Sequence, residues 1–187
     1  MWRKNIKAIQ KLLDSADNGR MIREGIKTVI VGKPNAGKSS LLNSLVGDER
    51  AIVTDIAGTT RDTLEESINI HGIPLNIVDT AGIRETQDVV EKIGVTKAKT
   101  FAQDADLIIY VVDGSTPLDE NDREIMDMIR DKKAVILLNK IDLDLQTTKE
   151  MLENMTQHPV LEISAANQQG LEDFEALIRD IFFGGKL

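Results

Sequence analysis

At 187 residues, with 41% hydrophobic and 29% charged residues, the chain has the size and composition of one globular domain with a full core. No run approaches the ~18 apolar residues of a membrane span, no signal-peptide core follows Met1, and the absence of cysteine excludes disulfides and thiolate metal sites. The formal charge of −8 argues against a general nucleic-acid binder, although residues 1–33 are basic, with eight Lys/Arg against three acids.

The first predicted element is a helix over 2–16. Trp2, Ile6, Ile9 and Leu13 recur at helical spacing, and Asp17-Asn18-Gly19 interrupts the pattern. No second helix lies nearby in sequence to cover its apolar stripe. Either it packs on the domain's own surface or its partner lies outside this chain, and we take the second. Its basic side reads as a solvated face in preference to an RNA contact.

Strands and helices alternate from Ile26. The apolar run 26–31 reads as a buried strand, and 38–46 as the helix that follows. Between them Gly32-Lys-Pro-Asn-Ala-Gly-Lys-Ser39 has the form G-x-x-x-x-G-K-S in the strand–loop–helix context that a phosphate loop requires. Asn35, Ala36, Gly37, Lys38, Ser39 and Ser40 are its candidate contacts. Successive N–H groups converge on phosphate at a helix N-terminus. Lys38 would meet the β- and γ-phosphates, and the Ser39 hydroxyl would ligate Mg²⁺. The chain is therefore expected to bind a nucleoside triphosphate.

No clear period runs from Asp48 to Asp62, where Gly58-Thr59-Thr60 lie; Thr60 is the candidate to complete the Mg²⁺ shell. Strands follow at 64–70 and 73–78, joined at His71-Gly72 as a hairpin, so one strand should run antiparallel at a sheet edge. After them comes Asp79-Thr80-Ala81-Gly82. Asp79 would hold a Mg²⁺-bound water, and the Gly82 N–H could bond the γ-phosphate where a side chain would clash.

A helix over 89–102, a strand over 107–112 and a helix over 119–131 lead to the strand 134–138. Asn139-Lys140-Ile141-Asp142 stands at its C-terminal end, where open α/β sheets bind ligands. The Asp142 carboxylate can accept from guanine N1–H and the exocyclic amine, whereas adenine would leave it unpaired at a cost of ~2–4 kcal/mol. Asn139 can bridge base and phosphate loop, and the Lys140 stem can cover the ring. Beyond a helix over 147–155 and a strand over 160–163, Ser164-Ala165-Ala166 reads equally as a plain turn or as a source of N–H groups for guanine O6. A helix over 171–182 closes the pattern. The tail with Phe182 and Phe183 reads as a cut edge. The expected architecture is α/β: a mostly parallel six-stranded sheet with one antiparallel edge strand and helices on both faces.

Four stretches together, Gly32 to Asn43, Ile52 to Asp62, Asp79 to Glu85 and Val90 to Gly94, closely resemble the MnmE (TrmE) family of tRNA-modification GTPases over about residues 26–183. The second GTPase module of the ribosome-assembly protein Der is similar too; Ile83-Arg84-Glu85-Thr86 and Val90-Glu91-Lys92-Ile93-Gly94 separate the two. The resemblance implies a Ras-like GTPase domain at 26–187, with 1–25 a remnant of an adjoining helical domain. It implies a cytoplasmic protein that turns GTP to GDP with Mg²⁺, without a membrane. It also implies an excised domain, lacking a folate-binding domain and a cysteine motif.

Ras-like enzymes orient the attacking water with a Gln after Asp-x-x-Gly; here that position is Ile83. The resemblance supplies other means. K⁺ would be held by Asn35 and by Thr54, Ile56 and Thr59 of the loop that also includes Asp55, Ala57 and Gly58. Glu91 would be the catalytic acid, acting through a second water. Face-to-face dimerisation of two G domains would order that loop. Arg61, Asp62 and Arg84 are weaker candidates, for dimer contacts or loop ordering. The flavoprotein MnmG and tRNA would be partners through regions outside this chain. The rival readings are a Der-like ribosome-assembly GTPase and a GTP-binding interaction module with negligible hydrolysis.

Overall fold

The computed structural model describes residues 2–47, 51–55, 65–70, 72–78 and 103–184. Helix α1 (Trp2–Glu24) leads into strand β1 (Ile26–Val31). Helix α2 (Lys38–Gly47) and strands β2 (Ala51–Asp55), β3 (Glu65–Ile70) and β4 (Ile73–Val78) follow. Next come β5 (Leu107–Asp113), α3 (Glu120–Ile129), β6 (Ala134–Asn139), α4 (Lys149–Met155), β7 (Val160–Glu162) and α5 (Leu171–Phe183).

One sheet runs in the order β2-β3-β4-β1-β5-β6-β7. The pairs β4–β1, β1–β5, β5–β6 and β6–β7 are parallel. The hairpin is where the sequence places it: β3 pairs antiparallel with β4, Ile70 opposite Ile73. All six expected strands form. The structure adds a seventh, β2, from the stretch without a clear period; it pairs antiparallel with β3, so the antiparallel strand stands second from the edge.

The central strands are apolar on both sides because helices cover both. Leu107, Ile109 and Val111 of β5 join Ile26 and Ile30 beneath α2 and the α5 residues Phe174, Ile178, Phe182 and Phe183. The alternate residues Ile108, Tyr110 and Val112 join Val29 and Val31 beneath Ile125, Met126 and Ile129 of α3 and Leu152 of α4. The Phe182–Phe183 pair, expected at a cut edge, is thus buried core of this domain.

Helix α1 departs from expectation. It does not stop at Asp17-Asn18-Gly19 but continues to Glu24, where Gly25 N–H closes on Met21 O (2.9 Å). Its last turn is fastened: Asn76 Nδ2 donates to Glu24 O (2.6 Å), Arg20 lies 3.6 Å from Asp106, and Met21 packs on the core. Those contacts give residues 17–24 the support that local propensity lacks. Further out Ile6, Ile9, Leu12 and Leu13 are exposed, so among the described residues nothing covers that part of the stripe. No helix among the described residues is long and apolar enough to cross a membrane.

Candidate functional site

Four chain segments meet beyond the C-terminal ends of β1, β5, β6 and β7, the edge where parallel sheets bind ligands. The first is the phosphate loop. Gly32 leaves β1 so close to β5 that a Cβ on it would lie 2.5 Å from Val111 O. At Gly37, with φ at +103°, a Cβ would lie 2.0 Å from Asn139 Nδ2. Only glycine lets the loop pass these two points, and Asn35 sits between them in the left-handed region at φ 64°.

Lys38 folds back over this loop. Its Nζ donates to Gly32 O at 2.5 Å and lies 3.4 Å from Lys33 O. Burial pushes its pKa down to about 8, the desolvated ammonium having no compensating anion among the described residues. A partly buried cation resting on neutral carbonyls, in a loop with no room for a Cβ at Gly32 or Gly37, is what a phosphate chain would complete. The residues present therefore fit a nucleotide's phosphates.

The residues expected to recognise the base come together on the same edge. Asn139, buried at the end of β6, donates from Nδ2 to Ala36 O (3.0 Å) and accepts on Oδ1 from Ala165 N–H (3.0 Å). It thereby joins the phosphate loop to the Ser164-Ala165-Ala166 segment. Ser164 Oγ donates to Asp142 Oδ1 (2.7 Å) and orients that carboxylate. The segment also makes a turn, with Asn167 N–H on Ser164 Oγ (3.3 Å), as the plainer of its two readings expects. The Ala165 N–H is directed at Asn139 here.

Lys140, at φ 64°, reaches over the loop: its Nζ donates to Asn35 O (2.8 Å) and to Asp113 Oδ2 (2.7 Å). Sequence reasoning missed Asp113. Its carboxyl feels burial, which would raise its pKa, but the bonds from Lys140, Ser115 Oγ (2.6 Å) and Ser115 N–H (2.9 Å) outweigh that and hold it below the usual range. An acid closing β5 in Val112-Asp113-Gly114, level with the end of β6, was the available signal.

Ser39 and Ser40 open α2 behind Lys38. Thr54 and Asp55 end β2. Ile56, Ala57, Gly58, Thr59, Thr60, Arg61 and Asp62 lie outside the described residues. So do His71, Asp79, Thr80, Ala81, Gly82, Ile83, Arg84 and Glu91, with the helix expected over 89–102.

Comparison with known proteins places this geometry. The family described as 50S ribosome-binding GTPase matches residues 27–140. A tRNA modification GTPase MnmE from Lachnoclostridium phytofermentans is 56% identical over 183 residues, 98% of this chain and 40% of that protein. The MnmE of Clostridioides difficile is 53% identical over 182 residues, 97% of this chain and 40% of that protein. This chain thus spans about two fifths of the length of those relatives. Among solved structures, Era in complex with MgGDPNP and a segment of 16S ribosomal RNA has a TM-score of 0.57 at 31% identity, covering 84% of this chain and 55% of that one.

Proposed function

The chain belongs to the GTPase family described as 50S ribosome-binding GTPases and resembles the G domain of MnmE; from that premise we propose how it hydrolyses GTP and what it serves. The carrying observation is the partly buried Lys38 amine on the loop's own carbonyls, with Asn139 locking that loop to the Asp142 and Ala165 segments. Loop amides and Lys38 take the phosphates; Asp142, held by Ser164, takes the N1–H edge of guanine; the Lys140 stem covers the ring.

Ser39, Thr60 and Asp79 would hold Mg²⁺, and Asn35, Thr54, Ile56 and Thr59 would hold K⁺. Together these ions would supply positive charge across the β–γ bridge as the transition state spreads charge outward. Ile83 can orient no water, so Glu91 does this through a second water, and two G domains meeting in the triphosphate state order the loop that carries Thr54 to Thr60. The segment 1–25 is part of an adjoining helical domain, a reading supported by the uncovered Ile6, Ile9, Leu12 and Leu13. In the longer protein the cycle drives modification of a tRNA wobble uridine with the flavoprotein MnmG, in the cytoplasm. Identity above 50% over nearly the whole chain favours this over the ribosome-assembly reading.

Multiple-turnover hydrolysis is expected in KCl and not in NaCl at equal ionic strength. Glu91→Ala should cut kcat by roughly two orders of magnitude or more, as loss of a general acid–base does, with GTP affinity within a few-fold. Equal rates in the two salts would remove Asn35 from a cation site. Normal turnover in the Glu91 variant would remove Glu91 from the chemistry.

A further inference from the structure

The second residue of the phosphate loop is tied into a buried polar group that phosphate binding does not explain. Lys33 Nζ lies 2.8 Å from Asp122 Oδ2 and 3.3 Å from Asp119 Oδ2. Asp122 is 1% exposed, in the first turn of α3, on the sheet face opposite α2. Its other oxygen accepts from Tyr110 OH at 2.5 Å, and Tyr110 is fully buried in the middle of β5. Asp119 N–H adds a further bond to Asp122 Oδ2 (2.9 Å), and Asp122 N–H returns one to Asp119 Oδ1 (3.2 Å), which caps α3.

Two carboxylates surround one ammonium, so the charge of Lys33 is already compensated and it is no spare ligand for phosphate. Its backbone has a different part. Lys33 O accepts from Ala36 N–H (3.2 Å), the bond that closes the loop's first turn, and is one of the two carbonyls near Lys38 Nζ. The side chain of one residue thus reaches α3, and through Asp122 is linked to Tyr110 of β5, while its main chain shapes the loop.

We propose that Lys33 is a positioning residue: Asp122, itself held by Tyr110 and the α3 cap, anchors the Lys33 ammonium and so fixes the Gly32–Asn35 arm before nucleotide arrives. A loop that is already ordered gives up less freedom on binding. This deepens the GTPase reading and rests on it. Without the tether, the arm must be ordered by the nucleotide itself, and affinity falls for every ligand that carries phosphates.

The test separates tether from stability. Removing Lys33 alone strands a buried carboxylate, which by itself destabilises the fold; pairing Lys33→Met with Asp122→Asn removes that charge. Binding of fluorescent GDP and GTP analogues would be measured at a temperature where circular dichroism shows every variant folded. Lys33→Met and the double variant should each bind both nucleotides at least tenfold more weakly, the double variant recovering urea resistance without recovering affinity. Lys33→Arg, which keeps a cation for Asp122, should stay within threefold of wild type. Wild-type affinity in the double variant would overturn the proposal. Failure of the unaltered protein to bind guanine nucleotide would instead sink the GTPase reading.

Discussion

The Lys38 amine makes the phosphate loop a proton-linked site. Its pKa in the folded chain, about 8, lies below the ordinary lysine value because of burial. The sign follows directly. A lysine depressed on folding binds fewer protons folded than unfolded between the two pKa values, so this group's contribution to stability improves as pH rises through that window and is at its most unfavourable below it. Phosphate oxygens against Nζ reverse the desolvation and restore the charge. Nucleotide binding at pH 8.5 should therefore take up the larger part of a proton, and at pH 7 almost none. Calorimetry in buffers of different ionisation enthalpy reads this as a heat that depends on the buffer at pH 8.5 and not at pH 7. A buffer-independent heat at both would mean that Lys38 stays charged in the empty loop.

At the scale of elements, what could be read ahead and what could not have physical causes. Strands β1, β4, β5 and β6 were legible within a residue, because their apolar runs are bounded by Gly, Asp and Asn at the ends that carry the site. That Gly32-to-Ser39 would link β1 to α2, and that Asn139-to-Asp142 would leave the end of β6, was legible from the residue types that bound those apolar runs. The contacts among them were not. That Lys140 would close on Asp113, or Lys33 on Asp122, depends on β5 standing between β1 and β6, which no local pattern encodes. Strand β2 was missed because Ala51-Ile-Val-Thr-Asp55 lies in a stretch where no clear period marks strand from loop. The end of α1 was misplaced for a related reason: Asp-Asn-Gly is a poor helix sequence, overruled by the docking of Met21 and the Glu24 carbonyl. That docking is local, so the two parts of α1 should respond differently to change. Deleting residues 1–13, whose described side chains are exposed, should leave the urea midpoint unmoved. Met21→Ala, which opens the core beneath the last turn, should cost about 1–2 kcal/mol. A large loss on deletion would show that the outer turns do support the domain.

For the molecule as a whole, charge opposes the assembly proposed above. The chain carries −8 in total, and since residues 1–33 are net positive the GTPase part is more acidic still. Two such domains approaching face to face repel one another, and the repulsion reaches about 10 Å at 0.1 M salt before screening removes it. The proposed dimerisation in the triphosphate state would have to overcome that, so ionic strength and cation identity should act separately. Raising ionic strength with choline chloride should ease the approach without supplying an ion for Asn35, and hydrolysis should stay slow. Replacing choline by KCl at the same strength should switch hydrolysis on. The rate per mole of enzyme should then climb with protein concentration and level off once the dimer is complete. Sedimentation with GDP and aluminium fluoride should show the dimer in KCl over the same concentration range, and monomer with GDP alone. A specific activity in KCl that is flat across a hundredfold range of protein concentration, with only monomer in the cell, would mean that one G domain completes its own catalytic site.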